Sequence, residues 1–268
     1  MRTDGDAQVA IPGILGGVGP LAHIALERRL VAASARRGAI DDRGHPVWIL
    51  ISATDIPDRT ASLADGSDRC ARALVRHGRV LEAAGADFMV VACNTAHAFH
   101  ARVQAELAIP WIHLIDHVAD AIARRHPRAA RVGVLATDGT LHAALYQRSL
   151  RDVGVAAIAP APGDALQDEI MAAIYAPGWG IKATGVEISA PARAAVTRAV
   201  RWLHDRGAEL VIAGCTELSA ALEALAPVEP LALPWLDPLE VAAELMLELA
   251  YGARALAPQA LAPRKATR

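Results

Sequence analysis

The sequence predicts an α/β fold of two similar halves, each a parallel sheet flanked by helices and related by a pseudo-two-fold axis. Two observations predict it. First, Gly85-Ala86-Asp87-Phe88-Met89-Val90-Val91-Ala92-Cys93 aligns without a gap on Gly207-Ala208-Glu209-Leu210-Val211-Ile212-Ala213-Gly214-Cys215. Each is an apolar run of strand length ending on a cysteine followed by small polar residues. That is the pattern of a buried parallel strand, a turn and a helix start. Second, Gly13-Ile14-Leu15-Gly16-Gly17-Val18-Gly19 resembles Gly133-Val134-Leu135-Ala136-Thr137-Asp138-Gly139, and each stands at nearly the same distance ahead of its cysteine. Cys93 and Cys215 then fall at the carboxyl ends of strands, where open α/β sheets bind ligands. Two similar halves would set them facing each other across a cleft. Generic βα units produce similarity of this kind too.

The first domain is expected over residues 1–116 plus 227–268 and the second over 117–226. With 268 residues, 53% hydrophobic and 21% charged, the chain can bury a sizeable core. A net charge of −2 gives no reason to expect a nucleic acid or an anionic membrane as partner. No apolar run approaches the ~20 residues of a membrane span, and Met1-Arg2-Thr3-Asp4-Gly5-Asp6 is unlike a signal peptide. A cytoplasmic location follows as the expectation. Three cysteines argue against a disulfide framework.

Taken in order, Val9–Leu15 reads as the first strand, although Pro12 cannot donate to a ladder. Gly16-Gly17-Val18-Gly19-Pro20 is a tight turn, and Pro20 suits the first turn of a helix through Arg36. The glycine spacing is not that of a dinucleotide loop. A turn whose backbone N–H groups, at Gly17 and Val18, meet a small anionic ligand fits better. Pro46–Ile51 is the second strand, with a loop Ser52–Thr60 at its carboxyl end. Arg59 in that loop could hold a substrate carboxylate bidentately, but the residues alone favour an ordinary loop arginine paired with Asp55 or Asp58. Asp68–Ala84 is a helix carrying Cys70, a structural or surface thiol. After the Phe88–Ala92 strand, Thr95–Leu107 is a helix. His97 stands four residues after Cys93, placed to hydrogen-bond near the site or tune the thiol. No closely spaced ligand pair of the zinc-ribbon kind accompanies them, and no metal is expected.

Ile109–Ile115 reads as a short strand and Asp116–Arg125 as a helix that crosses into the second half. Arg131–Ala136 is its first strand, with Thr137 in the turn that follows. Leu141–Val153 is helical, Val155–Ala159 a strand and Asp164–Tyr175 a helix. Ala176-Pro177-Gly178-Trp179-Gly180 is a mobile-loop candidate just before Lys182, which is either solvated or closes over a carboxylate. Ala190–Arg206 is the helix before the second cysteine strand. Leu218–Leu225 follows Cys215, Leu231–Leu233 is a last short strand, and Leu239–Tyr251 is an amphipathic helix returning to the first half. The tail after Gly252 is expected to be loose.

A thiol at a helix N-terminus has its thiolate favoured by the macrodipole and by free N–H groups. Two such thiols suggest something narrower than one. Inverting a stereocentre by deprotonation needs a base on one face and an acid on the other, roles that a thiolate and a thiol can exchange. The groups after each cysteine, Asn94, Thr95 and Thr216, suit an α-carboxylate. Two buried structural cysteines remain the alternative.

The segments Gly13–Ala22, Ile56-Pro57-Asp58-Arg59-Thr60, Ala92-Cys93-Asn94-Thr95-Ala96-His97 and Gly214-Cys215-Thr216-Glu217-Leu218 resemble the aspartate/glutamate racemase family, over about residues 10–250. The resemblance implies a cofactor-independent amino-acid racemase, usually a homodimer, with the site between two α/β domains. It implies Cys93 and Cys215 as the paired acid/base thiols and Asn94, Thr95 and Thr216 on the α-carboxylate. It places Arg59 and Lys182 on the side-chain carboxylate of aspartate or glutamate, and Glu217 beside the substrate ammonium or the second thiol. Gly17, Val18 and Thr137 complete the expected binding set. Val18 stands where the family commonly has methionine, and Ala176–Gly180 is unusually rich in Pro, Gly and Trp. Relatives of the same fold include hydantoin racemases and maleate-type isomerases.

Overall fold

The computed structural model describes residues 8–226 and 231–255 and forms two compact units. One comprises the described residues up to Asp58, Gly66–Leu114 and the chain from Leu239 onward; the other comprises Arg59–Asp65 and Ile115–Pro238. The expectations for the acidic N-terminus and for the tail beyond 255 lie outside the described residues.

The first unit holds β1 (Pro12–Gly16), β2 (Ile49–Ser52) and β3 (Phe88–Val91) as a parallel sheet in the order β2-β1-β3. Its helices are α1 (Pro20–Arg36), α3 (Arg69–Ala83) and α4 (His100–Gln104), with α2 (Arg59–Ala64) lying on the second unit. The second unit has β4 (Arg131–Leu135), β5 (Ala156–Ile158), β6 (Leu210–Ala213) and β7 (Trp235–Leu236), all parallel, in the order β5-β4-β6-β7. Its helices are α5 (Leu114–Arg125), α6 (Asp138–His142), α7 (Leu145–Asp152), α8 (Ala165–Tyr175), α9 (Ile181–Thr184), α10 (Ala190–Asp205) and α11 (Thr216–Leu225). The last helix, α12 (Pro238–Ala250), returns to the first unit, where Val9 N–H donates to Ala250 O at 2.7 Å.

The central strand of each sheet is flanked in the same way. β1 pairs with β2 and β3, bringing Ile14 opposite Leu50 and Val90; β4 pairs with β5 and β6, bringing Gly133 opposite Ile158 and Val211. β3 and β6 are buried throughout, which is why they read as unbroken apolar runs. The acid of each Gly-Ala-acid motif clamps the neighbouring strand. Asp87 Oδ2 accepts from Ile11 N–H at 2.6 Å, and Glu209 Oε2 accepts from Ala130 and Arg131 N–H at 2.6 and 2.9 Å. The repeat extends further than the sequence reading took it. Trp111 bridges Met89 in parallel, and Trp235 pairs with Val211 at the equivalent place, each tryptophan preceded by a proline.

Several elements depart from expectation. Pro12 is the first residue of β1, where its missing N–H is tolerated. The loop expected over Ser52–Thr60 ends early, because Arg59 opens α2. The helix expected over Thr95–Leu107 is a 3₁₀ turn, Thr95–Phe99, followed by the short α4. Ile109–Ile115 contributes only the Trp111 bridge, since α5 already begins at Leu114. The helix expected over Leu141–Val153 breaks at Ala144, which adopts φ 48° at a cost of roughly 1–2 kcal/mol. The last strand lies at Trp235–Leu236 rather than Leu231–Leu233 and extends the second sheet past the 117–226 span. Among the described residues no helix is long and apolar enough to cross a membrane.

Candidate active site

β6 ends at Ala213, Gly214 follows, and Cys215 is the N-cap of α11, its carbonyl accepting from Leu218 and Ser219 N–H at 3.0 and 3.2 Å. The side chains around the thiol form one network. Cys215 Sγ donates to Glu217 Oε2 at 3.0 Å, and Thr216 Oγ1 donates to the same oxygen at 3.1 Å. The other oxygen, Oε1, takes the Lys182 ammonium in an ion pair. Lys182 also lies 5.6 Å from the centroid of the Tyr175 ring. Glu217 is buried, and a buried carboxylate persists only with a counter-ion or hydrogen bonds.

Electrostatics follow from that geometry. For Glu217, burial is the largest influence and pushes its pKa up. The Lys182 charge and the hydrogen bonds from Lys182 and Cys215 outweigh it and hold the carboxyl below its usual range. Burial raises the Cys215 thiol well above its ordinary value, the Glu217 charge raises it further, and Lys182 only partly offsets both. Of the two thiols, whose resting states the sequence leaves open, Cys215 is the one whose surroundings favour the protonated form. Tyr146 is fully buried, and burial, then Asp237 and Cys215, keep its phenol protonated. Asp237 accepts from Ser219 Oγ at 3.0 Å.

Thr137 is the N-cap of α6. Its hydroxyl accepts from Thr140 N–H and lies 3.2 Å from Thr140 Oγ1, with both residues buried. Arg59 is buried at the start of α2, which packs on α6. Asp55, one of its two expected loop partners, binds His77 at 2.7 Å and also Arg76. In the Ala176–Gly180 segment, Gly180 N–H donates to Ala176 O at 2.8 Å, and Ser189 Oγ donates to Trp179 O at 2.6 Å. Trp179 packs on the core that includes Cys215.

In the first unit β3 delivers Cys93, whose N–H donates to Val91 O at 2.8 Å. Cys93, Asn94 and Thr95 are all buried. The helix that follows Cys93 is a five-residue 3₁₀ segment, so the macrodipole expected there is small. His97 Nδ1 lies 2.9 Å from Cys93 O and 3.2 Å from Asn94 O. Carbonyls only accept, so the ring carries its proton on Nδ1. The His97 ring sits 5.5 Å from His113 and 5.2 Å from Trp111. Burial, then the His113 and His100 charges, lower its pKa to about 3.

Folding therefore favours neutral His97. The stability this brings is complete above the unfolded-state pKa of 6.5 and is lost as pH falls towards 3. In that window the wild-type protein is expected to lose about 1.4 kcal/mol per pH unit through this residue. His97→Asn should flatten the slope in urea unfolding measured across the same pH range.

Gly17 adopts φ 81°, and a Cβ there would meet the Ala53 backbone nitrogen at 2.4 Å. Gly17→Ala is expected to cost about 2–4 kcal/mol in urea unfolding, from left-handed strain plus overpacking. The Gly17 N–H was expected to face an anion. It donates instead to His23 Nδ1 at 3.1 Å, and burial holds that imidazole neutral. Val18 is buried beside it.

The structure thus brings Cys215, Thr216, Glu217 and Lys182 together in one unit and Cys93, Asn94, Thr95 and His97 in the other. His113, Tyr146 and Asp237 were not read as part of the site, because no sequence motif surrounds any of them.

The model of the family described as Asp/Glu/Hydantoin racemase matches residues 15–246. The chain is 26% identical over 215 residues to the broad specificity amino-acid racemase RacX of Bacillus subtilis, covering 79% of this chain and 87% of that protein. It is 34% identical over 206 residues to a glutamate racemase of Pseudomonas aeruginosa, covering 74% and 69%. A Picrophilus torridus aspartate racemase shares the fold with a TM-score of 0.72 at 23% identity, over 91% of this chain and 94% of that one. The chain belongs to the Asp/Glu/Hydantoin racemase family.

Proposed function

We propose that the protein is an amino-acid racemase acting on aspartate or glutamate by two-thiol acid–base chemistry, with no pyridoxal phosphate. The observation that carries the reading is the Cys215 thiol held protonated against Glu217, in a chain whose other half presents Cys93 after the equivalent strand. A resting thiol is what the proton-donating partner must be. Cys93 as thiolate takes the α-proton from one enantiomer, and Cys215 returns its own proton to the opposite face. The reverse reaction exchanges the roles. Asn94, Thr95 and Thr216 hold the α-carboxylate, which bears charge as the carbon loses its proton. Arg59 and Lys182 meet the side-chain carboxylate, and Gly17, Val18 and Thr137 line the pocket.

A second reading, a substrate with a neutral side chain, is favoured by the Lys182–Glu217 pair, because the lysine charge is already compensated. The likeness to a broad specificity racemase supports it. Proton NMR of L-aspartate, L-glutamate and neutral L-amino acids in D2O, without pyridoxal phosphate, tests both. Loss of the α-proton signal with appearance of the D-form on chiral chromatography is expected for the acidic pair. Turnover of the neutral set alone would replace the first reading by the second. Exchange with none would overturn both.

A further inference from the structure

The stretch from Gly178 to Arg193 in the second unit encloses an open cavity of about 650 Å³, and none of Cys215, Glu217 and Lys182 lines it. That size falls within the ~300–1,000 Å³ of small-molecule sites. Its walls come from the Pro/Gly/Trp segment at Gly178, from α9 at Ala183 and Thr184, and from the start of α10 at Arg193. We propose that this cavity is a second ligand site, taking a free amino acid with an apolar side chain, its carboxylate on Arg193 and its ammonium on Glu187. The binding does not rest on the racemase reading.

Glu187 and Arg193 both line the cavity and both are exposed. Neither side chain takes part in an ion pair among the described residues, whereas Arg198, further along α10, pairs with Glu169 at 2.9 Å. A single exposed charge holds a ligand weakly. A simple anion drawn to Arg193 is repelled by Glu187, and a simple cation drawn to Glu187 is repelled by Arg193. A ligand that carries both charges satisfies the two together. Its carboxylate accepts from the guanidinium fork, and its ammonium donates to the Glu187 carboxylate. Ile188, which lines the cavity and belongs to the core with Ile181 and Leu218, offers apolar surface for the body of the ligand.

The walls are fastened without a ligand. Ser189, the N-cap of α10, donates through Oγ to Trp179 O at 2.6 Å and accepts from Ala192 N–H at 3.2 Å. That joins the turn at Gly178 and Trp179 to the helix that carries Arg193, so binding costs little in chain ordering. Gly178 leaves its side of the mouth clear, since a Cβ there would meet nothing within 4 Å.

The test is titration calorimetry on the full-length protein with cycloleucine, an achiral apolar amino acid that has no α-proton and so cannot be racemised. Cyclopentanecarboxylate and cyclopentylamine, each carrying one of the two charges, are the controls. Cycloleucine is expected to bind at least about tenfold more tightly than either control, the scale for one charged hydrogen-bonding group. Glu187→Gln and Arg193→Gln should each weaken its binding by about tenfold. Both side chains are exposed, so neither substitution should disturb the fold, and unchanged urea unfolding checks this. No binding of cycloleucine, equal binding of either control, or unchanged affinity in either variant would overturn the site. No turnover enters the measurement, so its outcome stands whether or not the protein racemises an amino acid.

Discussion

On the proposed two-thiol mechanism, replacing Cys93 or Cys215 by serine is expected to lower racemisation about a thousandfold in both directions, the scale for losing one positioned acid or base. That is roughly 4 kcal/mol of transition-state stabilisation. Serine keeps the shape and a hydrogen-bonding atom, but its hydroxyl ionises far less readily than a thiol. The two variants should fail differently. With Cys93 intact, Cys215→Ser retains a base on one face, so slow α-proton exchange into D2O is expected from one enantiomer only. Cys93→Ser should show residual exchange from the opposite enantiomer, and less of it, because burial and the adjacent Glu217 disfavour the Cys215 thiolate. NMR of each pure enantiomer with each variant reads all four combinations. Full turnover in both variants would remove the thiols from the mechanism and return them to the role of buried structural cysteines.

What the sequence makes legible here is what local pattern encodes. The Gly-Ala-acid motif marks a strand start because its acid clamps the neighbouring strand, as Asp87 does for Ile11 and Glu209 for Ala130 and Arg131. The apolar runs into Cys93 and Cys215 are readable because strands buried on both faces need no alternation. Features set by tertiary placement are not legible in this way. Lys182 and Glu217 lie 35 positions apart, and nothing local pairs them. Ala144 takes a left-handed conformation that alanine does not advertise, and so splits a helix that periodicity reads as continuous. The Gly17 N–H was assigned to an anion because the sequence could not show that His23 turns back to accept it. The thiol at Cys215 was read from its helix end, and nothing local shows that burial and Glu217 both raise its pKa.

Trp111→Ala should destabilise the first unit by about 3–5 kcal/mol, the range for emptying a large aromatic site in a core. The indole is wholly buried and bridges Met89 at the edge of the sheet, and the rings of His97 and His100 lie 5.2 and 4.8 Å from it. Its contribution is packing alone, because the buried Nε1–H makes no hydrogen bond among the described residues. That missing bond makes a second variant more informative than the first. An unsatisfied buried donor costs about 1–3 kcal/mol. Trp111→Phe removes the donor while keeping most of the apolar area, so it should lose no more than about 1 kcal/mol. Trp235 occupies the equivalent place in the other sheet but is only half buried, so Trp235→Ala should cost less than Trp111→Ala. Urea unfolding read through hydrogen exchange of amides in β3 and β6 separates the two units. If Trp111→Phe proved as damaging as Trp111→Ala, the indole N–H would have to be bonded, and the packing account of this position would fail. If Trp235→Ala matched Trp111→Ala, the position in the repeat rather than the depth of burial would set the energy.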